Sequence, residues 1–222
     1  MFGIEWLEPE TLISSFGIYA LIGVCAIIFI ETGLLVGFFL PGDSLLFATG
    51  LMISTGAVGW PSGDQVVPVP IWIACAAITA SAWLGDQTGY WIGRKAGPSI
   101  FNKTESKFFS QKNVSATNAF FEKYGAKAII LAHFVPVMRT FVPVAAGIGQ
   151  MNYRKFLKFN IIGVVVWGTG ITSLGYFLGQ IPFVASNIEY VTLAFLVLTT
   201  VPIVVEILRT RKQRKIEALL RQ

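Results

Sequence analysis

The chain has 222 residues, of which 54% are hydrophobic and 13% charged, and its mean hydropathy is +0.67. A soluble globular domain carries about 25% charged residues, so this composition excludes an ordinary soluble enzyme and is typical of a polytopic membrane protein. The net charge is +5, and every Lys and Arg lies at or after Arg94. Basic clusters beside apolar segments are the positive-inside signal, which favours cytoplasmic loops and no nucleic-acid partner.

Apolar runs organise the first half of the chain. Residues 12–55 are predicted to form a first helix over 12–30, just long enough to cross a bilayer, and then a hairpin interrupted by glycines and a proline. Residues 56–69 are rich in Gly and Pro and hold no basic residue, which predicts an external loop. Residues 70–94 are predicted to form a transmembrane helix.

The topology of the second half is inferred from the positions of its basic residues. Residues 97–127 mix polar side chains with phenylalanines, which predicts an amphipathic segment on the cytoplasmic surface. Residues 128–150 lie between two basic clusters, and a single crossing would place one cluster outside. We therefore predict a second re-entrant hairpin. Residues 159–181 and 191–208 are predicted transmembrane helices, and 209–222 a basic cytoplasmic tail.

The two hairpins share a design, because each places helix-breaking residues inside an apolar run. The predicted breaks are Pro41 and Gly42 in the first hairpin, and Pro136 and Pro143 in the second. Irregular backbone at membrane depth survives only where protein or a water-filled cavity satisfies its N–H and C=O groups. The hairpins are therefore the predicted walls of a polar site.

The halves also resemble each other in sequence. Short matches pair residues 39–41 with 134–136, residues 48–50 with 145–147, and the GYxxG motifs at 89–93 with 175–179. Because the charge pattern directs the two long helices oppositely, the matches predict an inverted repeat, as in secondary transporters. The predicted fold class is an all-α polytopic membrane protein, an inverted repeat of re-entrant helical hairpin plus transmembrane helix, with flanking transmembrane helices.

Three ionisable residues are the main site candidates, namely Glu31, Asp43 and Arg139. An ionisable side chain inside a membrane is by default a functional-site hypothesis. The planar guanidinium of Arg139 suits a phosphate or a carboxylate, and a structural salt bridge to either acid stays open. A carboxylate whose cationic partner comes and goes binds and releases a proton, so the acids predict proton coupling. The alternative is that they cap broken helices.

Two further residues are secondary candidates. His133 lies six residues before Arg139, and histidine is the side chain that ordinarily changes charge near neutral pH, so we expect it to join Arg139 on a phosphate. A neutral, hydrogen-bonded imidazole is the alternative. Asp86 is expected to pair with Arg139 or face the cavity. Cys25 and Cys75 lie in apolar runs and are predicted to be buried thiols, with a disulfide between them as the alternative. One histidine and no Cys/His cluster predict no metal and no cofactor.

These residues and their motifs resemble a known family. Glu31 with the following FLPGD motif, the GDQTGYWIGRKAG segment at 85–97 and the segment 120–151 together are similar to the DedA family, bacterial relatives of the VTT-domain lipid scramblases. The resemblance covers roughly residues 12–181. It implies a multi-pass protein of the bacterial inner (plasma) membrane with facing re-entrant loops, which moves phospholipids or undecaprenyl phosphate and depends on the proton motive force.

The resemblance also implies roles for single residues. It makes the acids at Glu31 and Asp43 essential, together with two arginines in the second hairpin. Arg139 matches the second arginine, whereas His133 stands where the first would fall. This departure leaves the substrate, or its response to pH, open.

The predicted function is a proton-coupled membrane lipid transporter, flippase- or scramblase-like, whose partners are protons and a phospholipid or polyprenyl phosphate. The alternative is a proton-coupled small-cation antiporter contributing to envelope or pH homeostasis. An enzyme such as a lipid phosphatase is not expected, because only His133 is available as a nucleophile or base. A homo-oligomer stays open.

Overall fold

The computed structural model describes residues 19–34, 42–62, 65–101, 125–188, 190–195 and 197–199. Several predicted features lie outside these residues, namely the start of the first helix, Pro41, most of segment 97–127, the end of helix 191–208 and the tail 209–222. Within the described ranges the chain is mostly helical, which confirms the all-α class in its coarse form.

Seven helices and one short hairpin make up the described architecture. They are α1 (Ala20–Gly33), α2 (Gly42–Ser54), β1 (Gly59–Ser62), β2 (Gln65–Pro68), α3 (Ile71–Phe101), α4 (Ala128–Ala132), α5 (Pro136–Ile148), α6 (Tyr153–Gly179) and α7 (Pro182–Ala185). A 3₁₀ turn, Gly125–Lys127, precedes α4, and a further apolar helical segment, Tyr190–Thr199, follows α7. Among the described helices, α6 alone is long and apolar enough to cross a membrane by itself.

The segment predicted as a plain loop at 56–69 contains the β-hairpin. Its strands are antiparallel and pair Gly59 with Pro68 and Ser62 with Gln65. The β-branched Val66 and Val67 favour extended backbone, and this preference outweighs the Gly- and Pro-rich composition. The prediction of a loop without secondary structure is therefore wrong for residues 59–62 and 65–68.

The long helices extend beyond their predicted bounds at the basic residues. Helix α3 continues past Arg94 to Phe101, and α6 begins at Tyr153, before the predicted start at residue 159. The side chain of Asn152 caps α6 by accepting hydrogen bonds from two backbone N–H groups in its first turn. A charged residue ends an apolar run, but it does not end a helix.

The two helix breaks differ in detail from the prediction. The chain leaves helical geometry after α1 and again at Val135, which is extended with φ −118° and ψ 107°. Pro136 occupies the first turn of α5, where a missing N–H costs nothing. Pro143 lies inside α5, which continues through it to Ile148, so the prediction that Pro143 breaks the helix is wrong. Neighbouring groups in a membrane protein can compensate a proline inside a helix.

The shorter helix of each half packs on the long helix of the other half, α2 on α6 and α5 on α3. A β-carbon on Gly50 would overlap the carbonyl oxygen of Thr172, and one on Gly147 would overlap that of Tyr90. These two glycines are paired by the sequence matches. They allow backbone-to-backbone approach, the usual role of small residues between membrane helices.

The GYxxG motifs supply the opposite side of these contacts. A β-carbon on Gly175 would overlap the carbonyl oxygen of Phe47, and one on Gly89 would lie 3.3 Å from a methyl group of Val144. Phe47 and Val144 hold equivalent positions in the two matched halves. The matched residues therefore make corresponding contacts.

The largest apolar core lies between α1, α2, α3 and α6 and includes Ile28, Leu45, Ile78 and Val164. Both cysteines are free thiols; Cys75 is buried as predicted, whereas Cys25 is only partly buried.

Candidate functional site

Arg139 lies between two carboxylates that come from two other helices. Its Nη1 donates to Oδ1 of Asp43 on α2, and its Nη2 donates to Oε1 of Glu31 on α1. The side chains of Arg139 and Glu31 are 3% and 1% exposed, and that of Asp43 is 15% exposed. The three residues predicted as the main site are therefore brought together, in the salt-bridged arrangement that the sequence left open.

Local structure explains where the carboxylates lie. Glu31 is in the last turn of α1, and Asp43 is in the first turn of α2, where the helix dipole favours a negative charge. A β-carbon on Gly42 would overlap Oε2 of Glu31. Gly42, predicted only as a helix break, therefore also provides the space that the Glu31 carboxylate occupies.

Trp167 on α6 completes this cluster and was not predicted. Its Nε1 donates to Oδ1 of Asp43 at 2.8 Å, and its ring faces Arg139, with Cζ 4.6 Å from the ring centroid. A tryptophan is more often found at the membrane interface than at the middle of a spanning helix. Its central position in the apolar stretch of α6 was the signal available in the sequence.

The cluster of Arg139, Glu31 and Asp43 contains buried polar atoms without described hydrogen-bond partners. Oε2 of Glu31 and Nε of Arg139 are buried and have no hydrogen-bond partner among the described residues. Two carboxylates also face a single guanidinium, so the fully ionised cluster carries one excess negative charge. Buried polar atoms without partners are costly, and the site therefore has capacity for a further proton or ligand.

A second buried polar cluster joins α3, the end of α4 and α6. Nε2 of His133 lies 3.0 Å from Oδ2 of Asp86, and Nδ1 lies 2.8 Å from the carbonyl oxygen of Ile129. Nδ2 of Asn160 donates to the same Asp86 oxygen at 2.5 Å, and Nε2 of Gln87 donates to Oδ1 of Asn160 at 2.9 Å. All four side chains of the cluster belong to buried residues.

This second cluster corrects two expectations. His133 was expected beside Arg139 on a phosphate, but both of its ring nitrogens are engaged by Asp86 and Ile129. Asp86 was expected to pair with Arg139 or face a cavity, and it pairs with His133. Trp167 contacts both clusters, since its ring centroid lies 6.5 Å from that of His133.

Gln87 and Asn160 are further residues that sequence reasoning missed. Amide side chains inside membrane helices commonly hydrogen-bond across helix interfaces, and this was the available signal. Their partners cannot be read from spacing, because Gln87 and Asn160 are far apart in the chain.

The fold and these two clusters describe a mostly helical protein that has, among the described residues, one helix able to span a membrane and ionisable groups buried between its helices. Comparison with known families agrees, because the VTT domain model matches residues 40–177. The match contains Asp43, Arg139 and Trp167, and Glu31 precedes it. No solved structure matches the chain.

Relatives extend the match over most of the chain. An uncharacterized membrane protein of Mycobacterium tuberculosis is 46% identical over 200 residues, 90% of this chain and 84% of the relative. Protein DedA of Escherichia coli is 37% identical over 201 residues, 90% of this chain and 88% of the relative. Inner membrane protein YqjA of Escherichia coli is 31% identical over 156 residues, 70% of this chain and 66% of the relative. The chain therefore belongs to the DedA family of VTT-domain membrane proteins.

Proposed function

We propose that the protein moves a phosphate-bearing lipid, such as a polyprenyl phosphate or a phospholipid, from one leaflet of the membrane to the other. The observation that carries the proposal is the buried guanidinium of Arg139, held by Glu31 and Asp43. A guanidinium fork binds a phosphate with the same bidentate geometry as a carboxylate. A lipid phosphate can therefore replace one of the two acids without leaving the arginine unpaired.

The replaced acid supplies the proton coupling. A carboxylate that loses its arginine inside the protein has no cation nearby, and a buried unpaired charge is strongly unfavourable. Glu31 already has one oxygen without a hydrogen-bond partner among the described residues. When phosphate occupies Arg139, Glu31 or Asp43 takes up a proton, and it releases that proton when the arginine returns.

The architecture supports alternating access to this site. Each short helix that follows a break packs on the long helix of the other half, through glycines that correspond in the sequence matches. Such an arrangement suits an inverted repeat with two re-entrant hairpins, in which the halves rock around a central site. The same proposal places the protein in the bacterial inner membrane, multi-pass, with a cytoplasmic C-terminus.

An apolar groove between α3 and α6 offers space for a lipid tail. It has a volume of about 600 Å³, and its lining includes Trp72, Trp83, Ile161 and Val165. The Trp83 N–H is buried without a described partner. This groove adds a reason to favour a lipid over a small ion.

Reconstitution into liposomes tests the proposal. Purified full-length protein is compared with empty vesicles, using a panel of labelled lipids with and without a phosphate. We expect phosphate-bearing lipids to move faster than in empty vesicles, and Arg139→Ala and Glu31→Gln to remove most of that rate. Arg154→Ala is the matched control, because Arg154 is exposed at the start of α6. If no lipid moves faster than in empty vesicles, the proposal fails.

The excess carboxylate of the cluster favours a second candidate, a proton-coupled antiporter of small cations. The two candidates differ in what they require of residue 139. Arg139→Lys keeps the charge and loses the planar fork, so it abolishes lipid phosphate transport and leaves cation exchange largely intact. Cation flux in the same vesicles, followed with a pH-sensitive dye, separates the two.

We propose no enzymatic activity. Lipid phosphatase chemistry needs a nucleophile and a base or metals, and His133 is occupied by Asp86 and Ile129. Release of inorganic phosphate from a labelled polyprenyl phosphate by the purified protein would contradict this.

A further inference from the structure

The cluster of Asp86, His133, Asn160 and Gln87 takes no part in the function proposed above. It is buried, it contains two titratable groups, and it connects three helices with the break between α4 and α5. Its hydrogen bonds determine where protons must lie, because each atom in it either donates or accepts.

The tautomer of His133 follows from its first contact. Nδ1 lies 2.8 Å from the carbonyl oxygen of Ile129, one turn earlier in the chain. A carbonyl oxygen only accepts hydrogen bonds, so Nδ1 carries a hydrogen. A neutral imidazole in this position therefore has a bare lone pair at Nε2.

The second contact requires a further proton. Nε2 lies 3.0 Å from Oδ2 of Asp86, and this oxygen also accepts from Nδ2 of Asn160. A bare Nε2 and an ionised carboxylate would place two lone pairs against each other at hydrogen-bond distance. One proton between Nε2 and Oδ2 removes the conflict, and it is held on Nε2, as an imidazolium that donates to the carboxylate, because imidazole is ordinarily the more basic of the two groups.

We infer that Asp86 and His133 form a proton-binding site, separate from the Arg139 cluster, which holds one proton between Nε2 and Oδ2 in the arrangement described here. The proton comes from water, and its uptake changes the charge of the pair from −1 to zero. The inference does not depend on the transported substrate.

The charged neighbours leave Asp86 as the partner of His133. Among the described residues, the charged groups of the two buried polar clusters besides His133 are Asp86 on α3, Arg139 on α5, and Glu31 and Asp43 on α1 and α2. The other charged residues of α3 and α6 are exposed, namely Arg94, Lys95, Arg154, Lys155 and Lys158. Arg139 already forms salt bridges with both Glu31 and Asp43. The described residues that α6 presents at this place, Asn160 and Trp167, are neutral.

Proton binding to the pair should affect the position of the chain at the helix break between α4 and α5. His133 ends α4, and the chain becomes extended two residues later at Val135. When the pair holds its proton, the hydrogen bond between His133 and Asp86 connects this break to α3. Without its proton, the contact between Nε2 and Oδ2 becomes repulsive, and His133 or Asp86 has to turn away. Loss of the proton therefore frees the segment that leads into α5, which carries Arg139.

The chain offers a direct test, because His133 is its single histidine. Full-length protein labelled with ¹⁵N-histidine in lipid nanodiscs gives one pair of ring nitrogens, whose chemical shifts report which nitrogen carries a proton. We expect Nδ1 to stay protonated across the titration while Nε2 gains and loses its proton. A spectrum in which Nδ1 is the bare nitrogen overturns the inference without any variant.

Asp86→Asn tests the partnership. Removing the carboxylate takes away the negative charge that favours a proton on Nε2, so at the same pH the Nε2 signal of the variant should lie closer to that of the bare nitrogen than the wild-type signal does. An unchanged titration in the folded variant overturns the inference.

Gly163→Ala offers a second perturbation if Asp86→Asn does not fold. A β-carbon there would lie 2.5 Å from Nδ1 of His133, whereas one on Gly170 of the same helix meets nothing within 4 Å. We expect Gly163→Ala to change the Nδ1 signal and Gly170→Ala to leave it as in wild type. Equal spectra for the two variants overturn the placement of the ring.

Hydrogen exchange tests the consequence for the helix break. After correction for the intrinsic pH dependence, amides of residues 128–135 should exchange faster above the Nε2 titration than below it. This step should be absent in His133→Gln, which has no titrating ring. Exchange without a step in wild type overturns the coupling to the break.

Discussion

The guanidinium of Arg139 lies against the face of Trp167, with Cζ 4.6 Å from the ring centroid. The same indole donates its N–H to Asp43, one of the two acids that hold the arginine. Trp167 thus covers the cation and fixes one of its anions. The side chain of Arg139 is only 3% exposed, and the low dielectric constant around a buried group strengthens its interactions with the acids.

Trp167 is therefore expected to matter more than its apolar character suggests. Trp167→Phe removes the hydrogen bond to Asp43 and should lower the free energy of unfolding by about 2 kcal/mol. Trp167→Leu also removes the aromatic face and should cost more. The measurement is reversible unfolding in mixed micelles, with the lipid transport rate as a second readout.

Trp91→Leu is the matched control, since Trp91 is 45% exposed and lies near another arginine, with Cζ of Arg94 5.8 Å from its ring. An exposed pair of this kind contributes little, about 0.5–1 kcal/mol. Equal losses for Trp167→Leu and Trp91→Leu would contradict the role given to Trp167.

The three charges should be energetically coupled. Arg139→Ala leaves the buried carboxylate of Glu31 and the partly buried carboxylate of Asp43 without their cation and should destabilise the protein by about 3–5 kcal/mol. Glu31→Gln removes one of those charges, so it should recover part of the loss when combined with Arg139→Ala. A double-mutant cycle on the free energy of unfolding measures this coupling. Strictly additive effects would show that the two side chains do not interact.

Glycine contacts between the halves give a prediction that can be tested within one helix. Gly175→Ala would drive a methyl group into the backbone of Phe47, whereas Gly170→Ala, five residues away on α6, meets open space. We expect Gly175→Ala to lower the free energy of unfolding by about 1–3 kcal/mol. Gly170→Ala should be neutral or stabilising by up to about 1 kcal/mol. Thermal unfolding in detergent ranks them, and similar midpoints would contradict the packing described.

The re-entrant path proposed for residues 128–150 predicts a labelling pattern. Lys123→Cys and Lys155→Cys, introduced singly after the native cysteines are replaced, flank this hairpin on its two sides. Both should react with a membrane-impermeant maleimide from the cytoplasmic side and from no other, because a re-entrant hairpin would enter and leave on one face. Labelling of the two positions from opposite sides would mean that the segment crosses the membrane.

The main site could be predicted from sequence because an unpaired charge inside a membrane is energetically unfavourable. A charge inside a membrane requires a partner, and Glu31, Asp43 and Arg139 were the acids and the arginine placed beside helix breaks. Their number and positions left few alternatives, and the structure brings the three together. The sequence did not distinguish a structural salt bridge from a binding site, because one geometry serves both.

The second cluster could not be predicted because its pairing depends on helix rotation. Asp86 was expected to pair with Arg139 or face the cavity, and only the rotation of α3 relative to α4 places it against His133 instead. Rotating either helix by one residue would change which side chain pairs with Asp86. The spacing of hydrophobic residues does not determine helix rotation to that precision. Pro143 was misread for a related reason, since whether a proline breaks a helix depends on the groups that surround it.

The central claim is that Arg139 binds the phosphate of a lipid, and native mass spectrometry of the purified full-length protein tests it most directly. The protein is equilibrated with a diacylglycerol phosphate or with diacylglycerol alone, and the bound lipid is counted. We predict that wild type and Arg154→Ala retain the phosphate-bearing lipid, that Arg139→Ala loses it, and that none of the three retains diacylglycerol. Equal retention of the phosphate-bearing lipid by wild type and Arg139→Ala would contradict the account.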